Sequence, residues 1–347
     1  VFQLATGGRR MQTQYKDRNF EVRNTAQFNT GALEHSLTSG IELHRHSRET
    51  EMWMPGTAQN TATYNYGHFQ PNFMPHGKVD TNSAYVQDAI TIGQVTITPS
   101  LRYDHVRNRG EKNDAPFYNV ASAGHDYSAK TYTGWSPRLS LFWRATDDVA
   151  FFADYSKTWR APVIDEQYEV QSAVSSRSAT SRNLDPERVT ALRLGNVTDF
   201  SGLIFADDNL QVRTTLFHNK IKDEIFKNLG FECQAQTVVG GSIGDTCGNY
   251  LIGNYRNLDG VTYKGFEVES FYDSTYLFGT LSYTWMTGKH EGAYNNPWGP
   301  DVWARDVPAP KWVARLGVKI PDWDVVVGWK GLWVRPVSYT HLRAHET

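Results

Sequence analysis

The sequence predicts an all-β protein, a transmembrane antiparallel β-barrel, and three observations point there. Extended segments alternate apolar and polar side chains with period two. The connections between them alternate short and long. The chain is polar on average, with a mean hydropathy of −0.53, yet its 347 residues include 11 Trp, 18 Tyr and 17 Phe. A barrel wall has one lipid-facing side, so each strand is only half apolar, and aromatic residues gather where it meets the headgroups. A disordered chain of this polarity would be poor in aromatics. No run of about 18 apolar residues is present, so no transmembrane helix is expected. A formal net charge of −2 supplies no basic field, so no nucleic-acid partner is expected.

Taken in order, the alternation marks about twelve strands, at 18–28, 33–48, 80–92, 95–108, 132–145, 149–160, 187–200, 209–225, 258–273, 276–288, 310–320 and 323–334. In 149–160, Val149, Phe151, Ala153, Tyr155 and Trp159 share one face, and Asp154, Ser156, Thr158 and Arg160 share the other. In 311–320, Trp312, Ala314, Leu316, Val318 and Ile320 oppose Lys311, Arg315 and Lys319. Segments 95–105 and 210–219 repeat the pattern with Val95, Ile97, Leu101 and Tyr103, and with Leu210, Val212, Thr214 and Leu216. A second face rich in Arg, Asp and Lys suits a wet or plugged lumen and not the dry core of a sandwich. Tyr155, Trp159, Trp285, Trp312, Trp329 and Trp333 fall where aromatic girdles would lie. No segment combines helical periodicity with caps, so no helix is expected.

The connections are short near Gly93-Gln94, Thr146-Asp147-Asp148, 201–209, Asp273-Ser274-Thr275 and Pro321-Asp322. They are long at about 49–79, 109–131, 161–186, 226–257 and 289–309. Short periplasmic turns alternating with long extracellular loops are the habit of outer-membrane barrels. The opening Val1-Phe2-Gln3 has neither a charged nor an apolar leader region, so an exported protein would have further chain before it. Residues 337–347 break the pattern and look like translated read-through of a sequencing adapter. The expected organisation is therefore a partial barrel over 1–335 and a non-native tail over 336–347.

One strand ends in Trp159-Arg160-Ala161-Pro162, with Tyr168 six residues beyond the proline, and the next opens with Asn183-Leu184-Asp185-Pro186-Glu187. This pair resembles the paired motifs of TonB-dependent outer-membrane receptors, in particular those of the haem and haemophore-receptor type. Gly134-Trp135-Ser136-Pro137-Arg138-Leu139-Ser140 and Ala153-Asp154-Tyr155-Ser156 are similar to two further stretches of the same family. The resemblance covers nearly all of 18–335. It implies a 22-stranded barrel with a plug in its lumen, of which this chain holds about twelve strands and lacks the plug and the last strands. It further implies active uptake of an iron-bearing ligand across the outer membrane of a Gram-negative bacterium. Haem is the leading candidate ligand, carried and not permanently bound, delivered by a haemophore or haemoglobin and drawn in by the TonB complex acting through the plug. A ferric siderophore is the alternative ligand, and a passive porin or adhesin barrel is the alternative function. Two departures stand out: Ser181-Arg182 occupy the positions of the family's Asn-Pro, and 163–182 contains no His, where haem receptors of this type carry an iron ligand.

Haem needs an imidazole or phenolate for its iron and aromatic walls for its ring. Tyr168, His125, His68, His76 and His290 are the candidates, all in or beside long connections. Cys233 and Cys247 lie in one loop, and an oxidising exterior favours a disulfide between them, closing about 15 residues for roughly 3 kcal/mol. Glu42, His44 and His46 share a strand face and are read as part of a polar stripe ahead of a metal site. Gly240-Gly241-Ser242-Ile243-Gly244 lacks the helix and lysine of a phosphate loop. No nucleophile–base or paired-carboxylate pattern is present, so no enzymatic activity is expected.

Overall fold

The computed structural model describes residues 10–54, 67–69, 74–111, 126–169, 180–230, 234–239, 242–246, 252–291 and 307–335. Twelve long strands form one antiparallel sheet in chain order. The first six are β1 (Arg10–Thr30), β2 (Leu33–Met54), β4 (Gly77–Ile92), β5 (Val95–Gly110), β6 (Lys130–Arg144) and β7 (Val149–Arg160). The remainder are β8 (Glu187–Ser201), β9 (Asn209–Gly230), β12 (Ile252–Asp273), β13 (Leu277–Glu291), β14 (Lys311–Ile320) and β15 (Val325–Val334). A short β3 (Gly67–Phe69) pairs with β2, and β10 (Gln234–Val239) pairs with β11 (Ser242–Thr246) in a separate hairpin. All twelve expected strands are present, several running farther toward the long connections than alternation alone marks. The tail 336–347 lies outside the described residues, as do Cys233 and Cys247.

Each ladder between long strands keeps one register from end to end, as in Arg10↔Trp53 through Thr30↔Leu33 and Val149↔Thr198 through Arg160↔Glu187. Directly opposed residues share a face, so constant register carries each strand's alternation across the whole sheet. One face presents Phe20, Val22, Ile41, Leu43, Leu101, Leu139, Leu194, Leu216, Leu316 and Trp329. These remain uncovered: Leu216 is 53% and Trp329 60% exposed. The other face is tied by polar bonds. Arg138 and Ser140 both donate to Asp154, the latter at 2.8 Å. Arg102 reaches Glu42 at 2.9 Å and Asp104 at 2.8 Å. Apolar side chains bare to the outside and ion pairs within are what a wall between lipid and water requires. Among the described residues there is no central core. Fully buried apolar side chains such as Tyr168, Ile164 and Leu184 gather at the end carrying the long connections.

Of the residues expected in girdles, Trp312, Trp329, Trp333 and Tyr155 are exposed on the apolar face and Trp285 is half-buried. Trp159 is different: its half-buried indole lies over Gly134, where a Cβ would come within 2.2 Å of Nε1. The expected Glu42–His44–His46 stripe is also a set of separate bonds. His44 Nε2 and His46 Nδ1 sit 3.3 and 2.8 Å from Asp17 Oδ1, while Glu42 receives Arg102.

The short turns are self-contained. Gly93 takes φ +55° as the first residue of a two-residue hairpin loop, a position that favours glycine. In the 202–208 turn the Asp208 carboxylate accepts the N–H groups of Leu203, Ile204 and Phe205 at 2.6–2.9 Å and the Tyr272 hydroxyl at 3.0 Å. Loss of hydration alone would raise its pKa, but the three backbone donors and the hydroxyl together hold it down at about 2. Asp207 accepts from Thr275 N at 2.8 Å, which joins this turn to the next.

Two expectations follow from the faces and the turns. Leu194→Arg, on the apolar face, should cost about 2–4 kcal/mol of folding stability in lipid vesicles, measured by denaturant titration. Ala191→Arg, on the polar face of the same strand, should stay within about 1 kcal/mol. Because the folded pKa of Asp208 is depressed, its contribution is complete above the ordinary value of 3.8 and is lost as pH falls through about 2. Amide exchange at Leu203–Phe205 should thus stay slow down to about pH 3 in the parent and be fast at every pH in Asp208→Asn.

Candidate functional site: a braced rim under the long connections

Past Pro162 the chain makes a single helical turn, α1 (Ile164–Tyr168). Alternation gives no hint of it, since five residues are too few to display a helical period. Glu166 closes its first turn by accepting Val163 N–H at 2.8 Å, and Gln167 N–H donates to Val163 O at 3.1 Å. What holds a helix this short is packing: Ile164, Gln167 and Tyr168 are buried against the ends of β4, β5 and β12. The fit is close. A Cβ on Gly77 would lie 2.7 Å from Ile164 Cγ2, and one on Gly110 would lie 2.6 Å from Tyr168 Cγ.

The two motifs meet at Arg160. Its Nε donates to Glu187 Oε2 at 2.7 Å, and Nη1 and Nη2 donate to Glu166 at 2.8 and 3.0 Å. Both carboxylates are only 13% exposed, so this fork is well placed to count as more than a surface pair. Glu187 Oε1 accepts Ile225 N–H at 2.8 Å, which extends the tie to β9. A second layer runs through amides. Asn108 Nδ2 donates to Pro162 O and, at 2.6 Å, to Gln167 Oε1. Gln167 Nε2 donates to Tyr132 Oη at 2.7 Å and to Arg182 O at 3.0 Å. Tyr132 Oη and Lys130 Nζ both donate to Leu184 O at 3.0 Å. Arg48 completes the brace, donating to Pro75 O at 2.7 Å and pairing with Asp165.

Ser181 and Arg182, where the sequence departs from the family pattern, are structural here. Ser181 Oγ accepts Tyr255 N–H at 3.1 Å. Arg182 donates to Ser128 O at 3.2 Å, Ala129 O at 2.8 Å and Asn183 Oδ1 at 3.1 Å, with Asp126 3.3 Å away. Asp185 N–H donates to Asn257 Oδ1 at 2.8 Å. The motif residues Arg160, Pro162, Tyr168, Leu184 and Glu187 are thus brought together. Ala161 and Pro186 join them as chain, while Asn183 sits exposed at the margin.

Three of the residues expected as iron ligands have partners within the protein. Tyr168 is fully buried; its hydroxyl donates to Ser128 O at 2.9 Å, and burial pushes its pKa up to about 12. Enclosed in this way, the ring braces the layer beneath the long connections. Tyr127 stacks on it at 6.2 Å and is likewise pushed to about 12 by burial. His76 Nε2 lies 2.6 Å from Thr50 O. His290 is buried with Nδ1 3.1 Å from Glu224 and its ring edge-on to Phe226. His125 lies outside the described residues. The backbone of His68 pairs with Trp53, and its side chain lies outside the described ones. Sequence reasoning missed Asn108, Gln167, Tyr132 and Arg48, which carry the amide layer; an Asn and an Arg at strand ends give no local signal.

The family model described as TonB dependent receptor-like, beta-barrel matches residues 2–343. The chain belongs to that family. It is 43% identical over 337 residues to the TonB-dependent heme receptor A of Haemophilus ducreyi, covering 96% of this chain and 45% of that protein. It is 41% identical over 325 residues to its namesake in Haemophilus influenzae strain Rd, covering 92% and 43%. The chain therefore spans a little under half the length of these relatives. Among solved structures it is similar to a double mutant of the Serratia marcescens hemophore receptor HasR in complex with its hemophore HasA and heme. The TM-score is 0.70 at 21% identity, over 94% of this chain and 52% of that one. The copper transporter OprC gives 0.62 at 13% identity, covering 93% and 44%. At these identities the structural likenesses establish the TonB-dependent receptor fold. The rim is accordingly the part of a receptor barrel where β7, β8 and β9 meet the bases of the long connections.

Replacing Arg160 by Gln leaves Glu166 and Glu187 facing each other with no cation between them. The expected loss is about 2 kcal/mol, reduced from the value for a wholly buried pair by the partial exposure of Arg160. Limited proteolysis should then cut within 163–182 while the strands stay protected. Unchanged protection there would remove Arg160 from the role assigned to it.

Proposed function

We propose that this chain is the central wall of an outer-membrane receptor of a Gram-negative bacterium that takes up haem. One observation carries the reading: identity of 40–43% over nearly the whole chain to proteins named as TonB-dependent heme receptors. The mechanism asks for no covalent chemistry in this segment. Extracellular loops bind the ligand, with or without a haemophore or haem protein that presents it. TonB works through a plug held elsewhere in the protein, and the polar face of the sheet lines the route. The rim contributes by fixing where the loops begin. Three successive strand ends and α1 are tied into one unit, so a pocket built above them starts from fixed positions and loses less freedom on binding. His125 and His68 are the ligand candidates to test first, because the Tyr168 hydroxyl, His76 Nε2 and His290 Nδ1 lie against Ser128 O, Thr50 O and Glu224.

The test is titration of the full-length protein in detergent with ferric haem, followed by Soret absorbance. A saturable shift is expected. Tyr168→Phe should retain that shift while losing about 1 kcal/mol of stability with its hydrogen bond, and His125→Ala or His68→Ala should weaken it. Loss of the shift in Tyr168→Phe alone would return that residue to ligand duty. The absence of any shift in the parent would move the assignment to a ferric siderophore.

A further inference from the structure

The polar face of β1 and β2 brings Asp17 directly opposite His46 and puts His44 one row nearer the short turns, opposite Asn19. Both imidazoles close on a single oxygen. His46 Nδ1 lies 2.8 Å and His44 Nε2 3.3 Å from Asp17 Oδ1. A carboxylate oxygen only accepts, so each of these nitrogens carries the proton, and the lone pair of each neutral ring falls on its other nitrogen. In His46 that is Nε2, and in His44 it is Nδ1. Among the described residues neither has a hydrogen-bond partner. The His46 side chain keeps 30% of its surface exposed on the inner face. The two lone pairs are not equally usable. Nδ1 is crowded by its own Cβ and backbone, whereas Nε2 is on the far side of the ring from the chain. His35 shows the opposite condition, since Thr30 and Asp88 occupy both of its nitrogens.

A histidine whose Nδ1–H is held by a carboxylate is aimed and made more basic toward a metal on its far side. Haem iron takes such a nitrogen as an axial ligand. The surroundings suit the porphyrin as well as the iron. The Tyr15 ring lies 5.7 Å from that of His46, 30° from parallel. Val79 stands directly opposite His46, and Val106 stands opposite Thr81, the partner of His44; both valines are half-buried. The row of His46 and Val79 continues to Asn108, which belongs to the amide layer under α1. His46 therefore sits just inside the long-connection end of the wall, below the rim and facing the lumen.

We infer that His46, oriented by Asp17, is a coordination station on the inner wall that takes the iron of haem through Nε2 as the ligand passes from the long connections into the lumen. The inference rests on the haem-uptake reading and adds to it a donor on a strand, apart from any donor in the loops. The iron–nitrogen bond forms as water or a loop donor leaves the same axial position, with no proton or electron transferred. The test uses the full-length protein in detergent, titrated with ferric haem and then reduced for resonance Raman spectroscopy. His46→Gln should lose one component of haem binding that the parent shows. Asp17→Asn keeps an acceptor but removes its charge. It should weaken that component by about 10- to 100-fold and lower the iron–histidine stretching frequency, a shift that a mere brace between strands would not produce. The same variant covers the case in which His46→Gln fails to fold, with heat-modifiable migration as the check on folding. A folded His46→Gln protein that retains every haem component of the parent, with its stretching frequency, overturns the station and leaves haem uptake standing. Zinc ion bound by the parent and lost in His46→Gln, with haem binding unchanged, overturns haem as the occupant in favour of a bare cation. A parent with no saturable haem binding overturns the reading underneath.

Discussion

Inside hydrocarbon a peptide group has no water to bond with, so every N–H and C=O of a spanning strand must find its partner on the next strand. That requirement organises the sheet described here. Long ladders with no slip are one solution to it, and register then follows for side chains as well as backbone. Once each strand is locked to its neighbours, a residue's parity decides whether it meets lipid or lumen. The polar average of the composition, the bare leucines and tryptophans on one side, and the Arg–Asp ties on the other follow from that one constraint.

The rim obeys a different rule. Above the membrane the chain leaves the ladder, and its backbone groups must be satisfied case by case. The structure meets this with side chains whose polar atoms serve main-chain partners: Asn108 for Pro162, Tyr132 and Lys130 for Leu184, Arg182 for Ser128 and Ala129. The Arg160 fork adds charge where two strands and a helical turn converge. Burial of Tyr168 against Gly110 seals the layer beneath.

The division between these two rules explains what could be read from the residues alone. Strands were legible because alternation is local: ten residues of 149–160 or 311–320 announce both faces. Their upper ends were not, because pairing continues past the apolar belt into polar sequence, as in Gln12-Thr13-Gln14 of β1. The motif pair was legible as a family mark but not as a mechanism. Tyr168 has the chemistry of an iron ligand, and nothing near it in the sequence signals its enclosure by residues far away in the chain. Asn108 and Gln167 are 59 positions apart, and no pattern within either segment foretells their meeting. Helix α1 escaped for the same reason, since its stability is borrowed from β4, β5 and β12.

Main-chain oxygens are supplied by any amino acid. The anchorage of the segments at 126–129 and 180–184 falls largely on such atoms, so it places few demands on which residues occupy the stretches beyond. A barrel built this way can change the letters of its outer loops while the mooring points of those loops stay where they are.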